Sequence, residues 1–230
     1  MRGVCFATTI SLLTTGTLLW LAHSDNIPKV IELLGLDFRL ALPSMFVSLV
    51  LISVLFMGPL AMLYMEGDVS WEQLRRIPQS LWNQPTWMRN YLVGPLTEEL
   101  VFRSSILPLW LIPLDPHLSI WLSPLIFGIA HVHQAISRII RREDKVKFIL
   151  LATLAQFMYT TVFGWIAAAL FVRTKSVAGP IVAHVFCNVL GFPDIQKALS
   201  YPRYLVVFVV GLLGFFGLFE PMTRQGVFIK

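Results

Sequence analysis

Charge is scarce in this chain, and so is cysteine. Only 13% of the 230 residues are charged, whereas 56% are hydrophobic. Soluble domains carry about twice this charged fraction, so the composition excludes an ordinary soluble domain. The two cysteines, Cys5 and Cys187, both lie in apolar stretches, which excludes a disulfide framework.

Other absences narrow the class further. The chain has no glycine-rich phosphate loop, no internal repeat and no low-complexity run, so nucleotide binding is not predicted. The alternating apolar and polar pattern of an outer-membrane barrel is also missing. The net charge of +5 would suit a nucleic-acid partner. In a membrane protein, however, cationic loops on the cytoplasmic face explain this charge, and we expect no nucleic-acid partner.

Long apolar spans are what the chain has instead. Seven candidate spans can be recognised, at 5–22, 42–65, 90–113, 118–136, 148–172, 177–194 and 204–219. They predict an all-α, polytopic membrane protein in which residues 1–230 form a single membrane-embedded domain. The first span lacks a clear signal-peptide cleavage site, so residues 1–29 are expected to contain an N-terminal helix. The segments 23–41 and 66–89, the second containing Trp71, Trp82 and Trp87, are expected at the membrane interface.

The positions of lysine and arginine predict the orientation of these spans. Five basic residues lie in the loop 137–147, and three more lie in the segment 66–89. The positive-inside rule places both loops in the cytoplasm. The polar residues of three later spans then fall at similar depths, in the cytoplasmic half of the bilayer. We therefore expect one intramembrane polar site.

Two adjacent glutamates and an arginine interrupt the span 90–113. A charge at membrane depth is costly and persists where it faces a protein interior or water. Glu99 and Arg103 are spaced i, i+4 and are expected to form an ion pair on one helical face. Glu98 points about 100° away and lacks that partner. We expect Glu98 to be an unpaired buried carboxylate, which makes it a candidate general base.

Histidines and an amide interrupt two further spans. His131 and His133 cannot share a helical face, so one is expected to face the interior and the other the rim. Phe127 precedes His131 by one turn and is expected to support its imidazole. His184 and Asn188 are spaced i, i+4 and could together donate hydrogen bonds to an oxyanion. Hydrogen-bonded core residues and ordinary contacts between helices are the plainer alternatives.

Two other chemistries stay open for these residues. Cys187 follows His184 by three positions, which permits a cysteine nucleophile. A buried cysteine is also a small hydrophobe, and the nearby glutamates disfavour a thiolate, so packing is the favoured role. A Zn²⁺ site is possible but not favoured, because no His-Glu-x-x-His pair occurs and the candidate ligands come from three spans. We therefore expect no cofactor.

These motifs, in this order, resemble those of a known family. Glu98-Glu99-x-x-x-Arg103, Phe127-x-x-x-His131 and His184-x-x-x-Asn188 resemble the three motifs of the CAAX protease and bacteriocin-processing family. Longer strings, among them Gln156-Phe-x-Tyr159-Thr-x-Val-Phe-Gly164, are similar to those of the eukaryotic type II CAAX prenyl endopeptidases, or Ras-converting enzymes. Gly94 stands where that group usually has alanine. The resemblance covers about residues 30–225.

The resemblance implies a hydrolase of the endoplasmic reticulum membrane with its active site accessible from the cytosol. Such an endopeptidase removes the last three residues from proteins that end in Cys-a-a-X and carry a farnesyl or geranylgeranyl group, such as Ras- and Rho-type small GTPases. Members of the family have eight membrane helices, so a bundle of seven to eight transmembrane helices is expected here. The other expected partner is membrane lipid.

The resemblance also implies roles for the residues of a catalytic core at 90–194. Glu98, aided by His131, would activate a water molecule, and His184 and Asn188 would stabilise the oxyanion. Supporting positions would be held by Glu99, Arg103 and Phe127. The alternative class is a non-enzymatic membrane transporter or scaffold that uses a buried Glu, Arg and His network.

Overall fold

The chain folds into packed helices. The computed structural model describes residues 2–22, 26–66 and 85–224, and no β-strand occurs within these ranges. The helices are α1 Arg2–Ala22, α2 Ile27–Leu33, α3 Phe38–Leu55, α4 Met57–Met65, α5 over residues 85–111, α6 Pro116–Ala130, α7 Val132–Ile140, α8 Val146–Thr174, α9 Ala178–Leu190, α10 Ile195–Ser200 and α11 Pro202–Thr223. The all-α prediction is therefore confirmed for the described part of the chain.

Four helical stretches are long and apolar enough to cross a membrane. They are Ile27–Leu55, Pro116–Ile140, Val146–Thr174 and Pro202–Thr223. Two shorter apolar helices, Thr8–Leu21 and Ala178–Leu190, accompany them. Large apolar side chains such as Leu42, Phe46 and Phe216 are exposed on the outside of the bundle, as lipid-facing residues are. A membrane protein is thus supported, while the count of seven to eight spans stays a prediction.

Two of the predicted spans contain an interruption of the regular α-helical hydrogen bonding. The span 42–65 is interrupted at Phe56, because Pro59 has no N–H to donate to the carbonyl of Leu55. The span 118–136 is interrupted at His131, whose Nδ1 lies 2.9 Å from the carbonyl oxygen of Phe127. In a regular α-helix the backbone N–H of His131 would donate to the Phe127 carbonyl. Here the His131 side chain occupies that carbonyl, and the backbone N–H donates to the Gly128 carbonyl instead.

Helix α5, which carries the two glutamates, contains two π-helical segments. Arg89–Val93 and Leu100–Ile106 have the wider turn, and each precedes a proline, Pro95 or Pro108, within the helix. A proline removes one backbone donor, and the wider turn re-pairs the helix around it, as in the bond from the Gly94 N–H to the Arg89 carbonyl. Wide turns of this kind are frequent at functional sites.

The main apolar cluster joins α3, α8, α9 and α11. Its buried members are Val47, Leu51, Ile52, Leu170, Ala183 and Phe215. Glu66, just after α4, accepts hydrogen bonds from Lys197 Nζ and from the Tyr204 hydroxyl, which ties α4 to α10 and α11. The hydrogen bond from Lys197 holds the pKa of Glu66 below its usual value. The predicted interfacial residues Trp71 and Trp82 lie outside the described residues.

Candidate active site

A cavity of about 500 Å³ opens between α5, α6, α8 and α9. All four side chains that the sequence analysis proposed as catalytic, Glu98, His131, His184 and Asn188, line it. Its other walls are largely apolar, with Ile52, Val162, Phe163 and Phe192 among the lining residues. The chain thus brings a carboxylate, two imidazoles and an amide to one hydrophobic cavity, as a polar site in a membrane requires.

Glu99 lies at the centre of a buried charge network. Its Oε1 is 3.0 Å from Arg103 Nη1 and 2.8 Å from His184 Nδ1. Glu99 and Arg103 are almost completely buried, and the expected ion pair between them is present. The contact with His184 was not predicted. Residue spacing pairs Glu99 with Arg103 alone, and nothing in that spacing relates Glu99 to a histidine 85 positions later.

Arg103 is held between aromatic rings and a close backbone contact. Its guanidinium carbon lies 4.6 Å from the centroid of Phe127, where a cation–π interaction is favourable. Its Nη2 lies 3.5 Å from the carbonyl oxygen of Gly164 on α8. A β-carbon at Gly164 would come within 2.6 Å of Pro124, so only glycine allows this approach of α8 to α6. Phe127 also meets His131 edge-on, at 5.0 Å between ring centroids, which confirms the predicted contact.

Glu98 faces the cavity, and its predicted burial is wrong. About 39% of its side chain is exposed, because the face of α5 that carries Glu98 forms the cavity wall while Glu99 points into the helix packing. Glu98 Oε2 lies 3.9 Å from His184 Nε2. The carboxylate is therefore free of Arg103, as predicted, and accessible to a water molecule or a substrate in the cavity.

The two histidines hold their protons differently. His131 Nδ1 faces a carbonyl oxygen, which can only accept, so Nδ1 carries the hydrogen and neutral His131 has a bare Nε2. His184 Nδ1 faces the carboxylate of Glu99 and likewise carries a hydrogen. Its Nε2 lies 3.9 Å from Oε2 of Glu98, so the ring sits between two carboxylates. His131 thus presents a proton acceptor to the cavity, whereas His184 is held by Glu99 through Nδ1 and presents Nε2 to the cavity. The other histidine of the first pair, His133, is exposed and outside the cavity, as expected.

Asn188 is oriented by the backbone of α5. Its Nδ2 donates to the carbonyl oxygen of Asn90 at 3.2 Å. A carboxamide nitrogen has two hydrogens, so the second remains for a ligand in the cavity. Asn90 lies within the π-helical segment Arg89–Val93, and none of the sequence motifs includes it. Its carbonyl is exposed to Asn188 only because the helix widens there, a feature that residue types alone did not reveal.

The site geometry also bears on the two alternative chemistries, a cysteine nucleophile and a metal site. Cys187 lines the cavity but packs against the main apolar cluster. Its neighbours in that cluster are apolar side chains, which do not favour a thiolate. Within residues 2–22, 26–66 and 85–224, no group of three His, Cys, Asp or Glu side chains is arranged to hold a metal ion. Gln134, Gln156 and Tyr159, to which the sequence analysis assigned no catalytic role, also line the cavity.

Comparison with known proteins points in one direction. Residues 80–190 match the family model described as type II CAAX prenyl endopeptidase, Rce1-like. The chain is 35% identical to CAAX prenyl protease 2 of Homo sapiens over 218 residues, which cover 90% of this chain and 66% of the human protein. It is 37% identical to CAAX prenyl protease 2 of Arabidopsis thaliana over 143 residues, which cover 62% of this chain and 45% of the relative.

A fungal relative is also similar to this chain in sequence. Probable CAAX prenyl protease 2 of Schizosaccharomyces pombe is 32% identical over 174 residues, which cover 74% of this chain and 64% of that protein. The chain therefore spans between 45% and 66% of the length of these curated relatives. No solved structure matches the chain.

Proposed function

Because this chain belongs to the type II CAAX prenyl endopeptidase, Rce1-like family, we propose that it is an intramembrane endopeptidase that removes the C-terminal tripeptide from prenylated CAAX proteins. The observation that carries this proposal is the meeting of Glu98, His131, His184 and Asn188 in one largely apolar cavity. These groups supply both halves of a hydrolysis: acceptors for the protons of water and donors for the developing oxyanion.

Water activation is assigned to Glu98 and His131. The exposed carboxylate of Glu98 accepts a proton from a water molecule, and the bare Nε2 of His131 accepts a hydrogen bond that orients the same molecule. The water oxygen then forms a bond to the carbonyl carbon of the prenylated cysteine. This step moves one proton to Glu98 and places the negative charge on the carbonyl oxygen.

Oxyanion stabilisation is assigned to His184 and Asn188. With Nδ1 bound to Glu99, protonated His184 donates from Nε2, and Asn188 donates the hydrogen that Asn90 leaves free. Donors that are held in place before the reaction stabilise charge most effectively, because they need no reorganisation. When the tetrahedral intermediate collapses, the C–N bond breaks, and the proton held by Glu98 goes to the leaving amine. The products are a prenyl-cysteine carboxylate and a free tripeptide.

The substrate and setting follow from the same family membership. Apolar walls lined by Ile52, Val162 and Phe192 suit a lipidated cysteine, whose prenyl chain partitions into the membrane. The proposed substrates are farnesylated or geranylgeranylated proteins, including Ras- and Rho-type small GTPases, at the cytosolic side of the endoplasmic reticulum membrane. We further propose seven to eight membrane helices, a catalytic core at 90–194 and water activation without a resident metal.

Release of a tripeptide from a farnesylated Cys-a-a-X peptide by purified, reconstituted protein tests the proposal. The expected product is the free tripeptide, with little release from the matched peptide that lacks the prenyl group. A Glu98→Gln variant serves as the inactive control. Absence of release by folded protein from both farnesylated and geranylgeranylated peptides would contradict the proposal and leave the transporter or scaffold alternative.

A further inference from the structure

Helix α7 presents an exposed apolar stripe. Val132, Ile136 and Ile140 follow one another at intervals of four residues and therefore share one face. Their exposed fraction rises along the helix, from 38% at Val132 to 55% at Ile136 and 75% at Ile140. The opposite face carries the polar residues Gln134 and Arg138. The helix is thus strongly amphipathic, and its apolar face is incompletely covered by the protein.

A basic segment continues directly from this stripe. Residues 138–147 contain five basic and two acidic residues, an excess of three positive charges. Both carboxylates form ion pairs within the segment. Arg138 pairs with Glu143 and, at 2.9 Å from Nη2, with Asp144, and Arg141 pairs with Glu143. Arg142, Lys145 and Lys147 are exposed, and no carboxylate of the described residues forms an ion pair with them. An apolar stripe beside unpaired cations is typical of a helix that lies at an anionic membrane surface.

We infer that α7 and the segment 141–147 form a surface that binds anionic phospholipid headgroups, and that this contact stabilises the position of His131 on the cavity wall. The inference rests on the proposed function for its activity readout. An acidic protein segment would also satisfy the cations, but it would leave the isoleucine stripe uncovered. A bilayer covers both features at once, with acyl chains on Ile136 and Ile140 and headgroups on the basic segment.

The connection to the active site is short. His131 is the residue at which α6 ends and α7 begins, and the regular α-helical hydrogen bonding is interrupted there. Any force that fixes the position of α7 therefore also acts on the junction that places the His131 ring in the cavity. Lipid that binds this arrangement of α7 more tightly than other arrangements increases its population. The size of the shift is set by the difference in binding free energy between them. Anionic lipid is thus expected to increase activity through the water-activating side of the site.

The experiment compares reconstituted protein in vesicles of phosphatidylcholine alone and of phosphatidylcholine with phosphatidylserine, using an uncharged farnesylated peptide. We expect kcat/KM to be about fivefold higher with phosphatidylserine, the effect of one cation at an anionic surface. The increase should shrink as salt is raised, because exposed charges are screened. The variant Arg142→Gln/Lys145→Gln/Lys147→Gln should lose the increase. The charge-conserving variant Arg142→Lys/Lys145→Arg/Lys147→Arg should keep it.

A binding measurement separates this inference from the proposed function. Fluorescent phosphatidylserine is titrated into protein solubilised in a neutral detergent, without any substrate. The triple glutamine variant should bind it at least fivefold more weakly than the charge-conserving variant does. Equal binding by the two variants, or equal wild-type activity in the two vesicle types, would overturn the inference. Loss of peptide release in every vesicle, with lipid binding intact, would instead contradict the proposed function.

Discussion

Replacing Glu99 by glutamine should uncouple His184 from its orienting carboxylate. The wild-type Oε1 accepts hydrogen bonds from both Arg103 Nη1 and His184 Nδ1. A glutamine of the same shape keeps one carbonyl oxygen but loses the negative charge. It therefore leaves Arg103 buried without its counterion and removes the carboxylate that holds His184 Nδ1.

Two separate effects should follow, and each has an approximate size. Breaking a buried ion pair by removing one partner costs about 3–5 kcal/mol, and Glu99→Gln should lie near 3 because one hydrogen bond survives. Loss of one oxyanion donor lowers turnover by about 10²–10³-fold. We therefore expect kcat per folded molecule to fall about 10²-fold in Glu99→Gln, with a smaller change in KM.

A double-mutant cycle distinguishes this positioning role from a purely structural one. If Glu99 acts through His184, the Glu99→Gln change should have little further effect on kcat in a His184→Ala background. The assay is tripeptide release, normalised to the folded fraction from thermal unfolding in detergent. Fully multiplicative effects on kcat, or normal kcat per folded molecule in Glu99→Gln, would refute the reasoning.

The remaining predictions concern the other residues around the cavity. Asn188→Ala should lower kcat about 10²-fold with little change in KM, because its donor acts on the transition state, and a defect in KM alone would contradict this role. Cys187→Ala should keep most activity, whereas inactivity of the folded variant would revive a cysteine nucleophile. Gly164→Ala should lower the unfolding temperature by forcing α8 away from Pro124, and unchanged stability would show that the contact relaxes easily. A strong chelator should leave tripeptide release unchanged, and loss restored by Zn²⁺ would contradict a metal-free site.

Residue spacing was sufficient to predict the contacts that lie within one helix. The pairs Glu99 with Arg103 and Phe127 with His131 are each four residues apart, and both contacts are present. The separation of Glu98 from this pair was also foreseen, because neighbouring positions of a helix diverge by about 100°. Helical geometry determines these relations before any tertiary packing is considered.

Residue spacing could not predict the contacts between helices or the interruptions within individual helices. The bond between Glu99 and His184 depends on how α5 packs against α9, which hydropathy does not specify. The burial assumed for Glu98 was wrong because a cavity, rather than a neighbouring helix, covers that face of α5. The interruption at His131 arises because its side chain and its backbone N–H compete for the Phe127 carbonyl. Hydropathy averaged over many residues does not detect such a local competition.

The central claim is that the Glu98 carboxylate accepts the proton of the attacking water, and Glu98→Gln tests it most directly. Glutamine keeps the size of the side chain on the cavity wall but is not a base. Single-turnover release of tripeptide from a bound farnesylated peptide should fall by about 10²–10⁴-fold, the usual contribution of a general base. Peptide affinity and unfolding temperature should stay close to those of the wild type, because the side chain is partly exposed and makes no ion pair with Arg103. Near-normal single-turnover release by folded Glu98→Gln protein would contradict the account.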